Sequence, residues 1–522
     1  MSDPTQFSRR PPRRAGRRPR RLLGIGSAVV VLALAAGCGA DENTSGLDLD
    51  AAVVARADSD ATFGWQEFGD DRVQIGSLEV PIDATDPAAG TFDLHVARHL
   101  ADPDRRVGSL LVNPGGPGVA GAAFAVYAEQ VFSPTLVAHF DIVGWDPRGT
   151  GLSEPAIDCV DDYDRFFAGV DITPDDEAER TAAIALAEEF QQGCVARSGT
   201  FLPHVGTNDS AADIDRIRQA LGEETISYFG FSYGSELGGA WATLFPATVR
   251  AAVLDGAVDP TADGVEASLQ QAIGFEQSLG AFFAWCDADD ECPFRPDGDS
   301  AALAGSADSA AAFDALMASV DAAPLPTAEG RPLLDLGVFN NGVVTALYTD
   351  ELWPDLAKAL AAAQAGDGRG LLALHDSYFD RRDDGTWDNT IEAFQVIQCM
   401  DDPRRETPEE AQEQLGEIRA QAPRVVPGTV AWPSCAAFPA PDEPRVAITG
   451  AGAGPIVVVG TTGDSATPLA GTRRMGDALE QGLLVVVVAD QHTGYRANDC
   501  VTDAVDAYLV AGTLPPDELT CS

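Results

Sequence analysis

The sequence predicts an α/β protein, with a mostly parallel eight-stranded sheet, helices on both faces and a helical lid inserted late in the chain. Three observations carry that expectation. Short apolar runs alternate with helix-compatible stretches from Ser109 to Leu254 and again from Ile456 to Val488, as in sheets whose parallel strands are joined by helices. Between these blocks, residues 260–440 are Ala-rich and mostly helix-like, without that alternation. Ser232, Asp464 and His492 each fall just after a predicted strand, at the end of the sheet where active-site loops collect.

The chain begins with a basic segment, in which eight arginines precede residue 22. Leu22 to Ala36 is apolar but short for a membrane span. Residues 1–37 read as an export signal excluded from the fold, and the arginine pairs suit a twin-arginine route. Small residues before Cys38 resemble a lipoprotein processing site, so lipidated Cys38 is the only membrane anchor expected. An ordinary signal peptide cleaved nearby is the alternative. The protein is expected outside the cytoplasm, secreted or held at the cell surface. Residues 38–60 read as a tether, 61–259 as the first part of the core, 260–440 as the lid and 441–522 as the rest of the core.

The totals narrow the class. Of 522 residues, 45% are hydrophobic and 22% charged, which suits a globular chain. The formal net charge is −47, from 81 acidic and 34 basic residues. Nucleic acid and anionic membranes are therefore poor partners for the body of the protein. The acidity suits a cationic substrate group, or simply a solvated surface.

Eight cysteines follow Cys38, and an even number in an exported chain points to disulfides. Pairing in sequence order is the simplest expectation: Cys159–Cys194, Cys286–Cys292, Cys399–Cys435 and Cys500–Cys521. Spacing alone leaves the connectivity open. No Cys-x-x-Cys pair occurs, and neither a metal nor another cofactor is expected.

The strands come in a definite order. Val73 to Ile82 and Thr91 to Leu100 read as an antiparallel pair. Ser109 to Val112 is a buried strand before Asn113-Pro114-Gly115-Gly116-Pro117-Gly118, and Phe140 to Trp145 another before Asp146-Pro147-Arg148-Gly149-Thr150-Gly151. Ala212 to Leu221 is a helix leading into the strand Ile226 to Phe229. There Gly230-Phe231-Ser232-Tyr233-Gly234 forms a sharp turn, a helix starts at Ser235, and the strand Ala251 to Leu254 follows. A serine at such a strand–turn–helix junction is the nucleophile elbow of α/β hydrolases, whose glycines keep the strained turn free of clashes. Ser235, inside the helix, is read as structural.

Serine needs a base to take its proton, and histidine suits the task. The six histidines are His95, His99, His139, His204, His375 and His492, and only His492 follows the last strand. Asp464 is the expected acid, with Asp255 the runner-up and otherwise a turn-capping residue. Asp490 lies too near His492 in sequence. The order Ser, Asp, His is that of α/β hydrolases. The oxyanion donors are expected from the Tyr233 N–H and from the Gly115-Gly116 loop.

The motifs at 113–118, 144–151 and 230–234, with Gly-Thr-Thr-Gly-Asp-Ser-Ala-Thr-Pro at 460–468, resemble those of secreted actinobacterial tripeptidyl aminopeptidases. These are α/β hydrolases related to proline iminopeptidases. The resemblance runs from about residue 65 to 521. It implies a Ser232, Asp464, His492 triad and peptide, or related amide and ester, substrates. Ser465 and Gln491 depart from residues frequent in that family, which leaves substrate preference open. Val396 to Asp401 resembles a recurrent family segment, so Asp401 and Asp402 are expected to bind a substrate's amino terminus, with solvated surface groups as the alternative.

A monomeric exopeptidase is the leading reading. An esterase or amidase with the same triad, and a catalytically silent surface lipoprotein, are the competing ones.

Overall fold

The computed structural model describes residues 53–168, 174, 176–295, 308–382, 384–425, 434–441, 443–516 and 518–522. The expected signal, Cys38 and most of the tether lie outside the described residues. One sheet contains β1 (Gln66–Phe68), β2 (Asp70–Pro81), β3 (Thr91–His99), β4 (Gly108–Asn113), β5 (Phe140–Trp145), β6 (Ile226–Phe231), β7 (Val249–Asp255), β8 (Ile456–Thr461), β9 (Gly482–Val487) and β10 (Leu519–Cys521). Across it they lie in the order β1-β2-β3-β5-β4-β6-β7-β8-β9-β10. β1, β2 and β3 pair antiparallel, β3 meets β5 antiparallel, and the strands from β5 to β10 are parallel.

The expected eight strands are corrected to ten. The additional pair, β1 and β10, are three-residue edge strands. Three residues are too few for an alternating pattern to stand out. β10 is tied to the helix Asp499–Ala511 by the Cys500–Cys521 bridge. Cys159–Cys194, Cys286–Cys292 and Cys399–Cys435 are also bonded, so the sulfurs pair in sequence order. Such bonds belong to an oxidising compartment.

Strands β4, β5, β6 and β8 are buried from end to end, which is why they read as unbroken apolar runs. Their side chains alternate between two cores. Val458 joins Leu111, Tyr228 and Leu254 beneath the helices Thr207–Ala220 and Tyr233–Leu244. Val457 and Val459 join Leu110, Phe229 and Val253 against Asp499–Ala511 on the other face. β4 lies between β5 and β6. The chain therefore turns to opposite sides after β4 and after β5, and the crevice above the carboxyl ends of β4 and β6 is the switch point where α/β sheets bind ligands.

Between β7 and β8 come helices from Gly264–Ala288 to Pro408–Gln421. Most pack on a core of their own, with Phe275, Phe282, Phe313, Leu356 and Leu360. The helix Thr390–Asp401 instead sends Ala393, Val396, Ile397 and Met400 into the cluster of the sheet. That spacing is one helical stripe. It brings the end of the helix down beside the elbow.

The loop after β5 owes its shape to two charged side chains. Asp146 accepts the Ala122 N–H at 3.0 Å and the Leu152 N–H at 2.9 Å. Arg148, fully buried, donates to both oxygens of Asp213 at 2.8 and 2.7 Å and to the His204 carbonyl at 2.8 Å. Removing one member of a buried pair leaves the other uncompensated. Arg148→Ala is expected to destabilise the fold by about 3–5 kcal/mol, read as a fall in the urea midpoint.

Candidate active site

Ser232 stands between β6 and the helix Tyr233–Leu244, with φ 55° and ψ −126°. A serine at positive φ is strained, and its surroundings hold it there. Its N–H donates to the Asp255 carbonyl at 2.8 Å, and the Tyr228 hydroxyl donates to the Gly234 carbonyl at 2.8 Å. A Cβ on Gly230 would overlap Gly234 O, and one on Gly234 would come 2.7 Å from Asn113 O. The turn thus excludes side chains at both flanking positions. The helix starts at Tyr233, two residues before the expected Ser235, because Ser232 itself occupies the capping position. Ser235 is buried and its hydroxyl accepts the Val258 N–H at 3.1 Å.

The loop after β4 lies over this elbow. A Cβ on Gly115 would come 2.9 Å from Ser232 Cβ and 3.1 Å from Tyr233 N. The Gly115 N–H is already given to Asn113 Oδ1 at 2.9 Å. The next residue, Gly116, lines the cleft beside Ser232 and Tyr233.

Asp464 follows β8 and His492 follows β9. His492 Nδ1 lies 2.8 Å from Asp464 Oδ1 and 3.0 Å from Oδ2. Asp464 is held in turn by the N–H groups of Ala466 and Thr467, at 3.0 and 2.8 Å, and by the Thr467 hydroxyl at 3.1 Å. The other ring nitrogen, Nε2, is buried without a hydrogen-bond partner among the described residues. The ring packs beside the elbow: a Cβ on Gly256, next to the residue that accepts the Ser232 N–H, would come 3.1 Å from His492 Cε1. Burial alone would lower the pKa of His492, but the Asp464 charge and hydrogen bond outweigh it and raise the value above that of free imidazole.

Asp255 faces the same loop in a different way. Its oxygens accept the N–H groups of Gly494 and Tyr495 at 2.7 and 2.8 Å, so it caps the loop backbone rather than the ring. Burial pushes its carboxyl up to about 6. Asp490 lends only its carbonyl, to the Asp350 N–H at 3.2 Å. From the helical segment, the Tyr348 carbonyl accepts the His492 N–H at 2.7 Å, and the Tyr348 ring meets the imidazole edge-on at 5.5 Å.

A cleft of about 400 Å³ opens over Ser232, and Asp401 and Asp402 are among the residues that line it. Asp401 accepts the Thr207 N–H at 2.7 Å and the Thr207 hydroxyl at 2.6 Å. With its proton so committed, Thr207 Oγ1 accepts from the Tyr233 hydroxyl at 2.6 Å. Burial pushes Asp401 up to about 7. Asp402 accepts the Arg404 N–H at 2.8 Å and forms an ion pair with the Arg404 side chain at 3.5 Å.

Thr207, Tyr348 and Thr467 are the participants that sequence reasoning missed. Only Thr467 carried a signal, as the third residue after an aspartate in a turn-forming stretch. Among the described residues, no group of three or more His, Cys, Asp or Glu side chains is placed to hold a metal ion. No helix among them is long and apolar enough to cross a membrane.

Comparison with known proteins agrees with this architecture. A family model of the α/β hydrolase fold matches residues 108–302, and one described as TAP-like protein matches residues 425–521. The chain is 35% identical over 465 residues to the serine protease Hip1 of Mycobacterium tuberculosis, covering 85% of this chain and 86% of that one. It is 35% identical over 466 residues to carboxylesterase B of the same organism, covering 86% of each. It is 31% identical over 502 residues to the tripeptidyl aminopeptidase of Streptomyces lividans, covering 92% and 90%. With its nucleophile elbow and paired aspartate and histidine, the chain is a serine hydrolase and belongs to the tripeptidyl aminopeptidase-like family of α/β hydrolases.

Proposed function

We propose that this serine hydrolase is an exported exopeptidase that releases short peptides from free amino termini through an acyl-enzyme on Ser232. The observation that carries the chemistry is the Asp464–His492 pair, 2.8 Å apart and packed beside the strained elbow. Asp464 holds the Nδ1 proton and so presents Nε2 as the base. His492 takes the Ser232 proton as Oγ attacks the scissile carbonyl, and returns it to the leaving amine. The oxyanion forms under the N–H groups of Tyr233 and Gly116, since that of Gly115 is already engaged. Water then releases the acyl group by the same steps in reverse.

The exopeptidase reading rests on the cleft's charges. Among the described residues, six acidic side chains line it. Glu236 pairs with Arg445, Asp259 with Arg474, and Asp263, Asp402 and Glu406 with Arg404. Asp401 has no basic partner among the described residues, and burial raises its pKa to about 7. An arriving ammonium would restore its charge and complete the pair, whereas a blocked amine would leave it uncompensated. Of the two aspartates named from the sequence, Asp401 is the better suited. The Streptomyces relative's name points the same way.

Asp401→Asn is expected to lower kcat/KM for free-amine tripeptide amides by about 10- to 100-fold and to spare a small ester. N-acetylated peptides should be poor substrates of the parent enzyme. Equal cleavage of acetylated and free peptides would move the assignment to the second reading, an esterase, which the carboxylesterase B relative supports.

A further inference from the structure

Beside the catalytic cleft lies a second cavity of about 150 Å³. Among the described residues, the cleft is lined by six acids and two arginines, but no charged side chain lines this neighbour. Its walls include Phe166, Phe167, Phe190, Phe275, Phe379 and Phe394, brought together from segments more than 200 residues apart. Phe167 meets Phe379 at 5.2 Å and Phe190 edge-on at 5.5 Å.

The cavity is joined to the reaction centre from two sides. Gln271, Phe394 and Ser434 line both spaces. Phe394 sits over the loop after β4, where a Cβ on Gly118 would come 2.8 Å from Phe394 N. Phe275 meets Tyr348 edge-on at 5.4 Å, and Tyr348 meets His492 at 5.5 Å. Phe394, at the junction of the two spaces, and Asp401, in the cleft, lie on the same helix Thr390–Asp401.

We propose that the aromatic cavity is a subsite for one apolar side chain, of leucine to phenylalanine size, in the acyl portion of the substrate. It rests on the exopeptidase reading and names the residue class that such an enzyme selects. A void of this size holds a benzene-sized group. Its polar side chains are neutral amides and hydroxyls, Gln271, Asn340, Asn341, Tyr378, Gln395 and Ser434, so among the described residues the cavity has no counter-charge for an ionic side chain.

The test uses the mature enzyme and peptidyl coumarin amides. Glycine, leucine, phenylalanine, aspartate and lysine are placed in turn at each of the three positions before the scissile bond. Aryl acetate and aryl 3-phenylpropionate form a parallel ester pair. At one acyl position, leucine or phenylalanine is expected to exceed glycine about 10- to 100-fold in kcat/KM, with aspartate and lysine rejected. Ala187→Phe and Asn341→Phe fill the cavity from two different helices. Each should bring the phenylalanine-to-glycine ratio down to a few-fold, so either one suffices if the other does not fold.

Flat selectivity at all three positions, a preference confined to the leaving side, or an unchanged ratio in the folded variants would overturn the subsite. If peptide amides resist cleavage while phenylpropionate is preferred over acetate and the filled variants lose that preference, the peptidase reading fails and the subsite stands.

Discussion

Ser232→Ala is expected to remove turnover, with kcat falling by about 10⁴- to 10⁶-fold and the residual rate left to the oxyanion donors. The fold should survive, because the substitution removes one oxygen from a position whose backbone is held by neighbours. The Asp255 carbonyl still receives the residue 232 N–H, and Gly230 and Gly234 still clear the turn. Labelling by a fluorophosphonate checks the assignment separately from turnover. The parent should be labelled at Ser232 alone and the variant not at all. Ser235, three residues on, is the natural competitor, but it is buried and its oxygen serves the Val258 N–H. Label found there would reassign the nucleophile.

Asp464→Asn is the next largest effect, with an expected loss of about 10⁴-fold in kcat. Asparagine can turn its NH₂ toward Nδ1, which favours the tautomer with the proton on Nε2, where Ser232 needs a base. Asp255→Asn should cost no more than about 100-fold, because Asp255 hydrogen-bonds the Gly494–Tyr495 backbone and acts on the ring through its charge alone. Kinetics of the two variants side by side decide between the acids, and the reverse ranking would make Asp255 the triad member. The pH profile supplies a second readout. Catalysis requires neutral His492, so activity falls as pH drops through its pKa. Asp464 raises that pKa above 6.5, which puts the acid limb of kcat/KM above pH 6.5. Without the Asp464 charge, burial is opposed only by the charge of Asp255, and the limb of the residual activity should move to lower pH.

Much of this site was legible because the constraints behind it are local. A strand that ends in a left-handed serine needs small residues at fixed offsets, and Gly230 and Gly234 supply them. Buried parallel strands need apolar residues on both faces, so β4, β6 and β8 announced themselves together with the loops that follow them. The chemistry needed a histidine after the last long strand, and one histidine stood there. Short edge strands such as β1 and β10 have no comparable signature, since a neighbouring strand stabilises them more than their own residues do.

By itself, the sequence determined the class of fold, the nucleophile's setting and the order of the loops around it, because local backbone geometry and burial period dictate those. The tertiary structure decided which aspartate serves His492. Asp255 ends β7 and Asp464 follows its neighbour β8, so the two look alike in the chain, and only the packed loops show one bonded to the ring and the other to backbone. It also decided the state of Asp401, whose hydrogen-bond partner Thr207 lies 194 residues away. The aromatic cavity was illegible for the same reason. Its phenylalanines look like ordinary core residues, and the unfilled space between them exists only once distant helices have packed against each other.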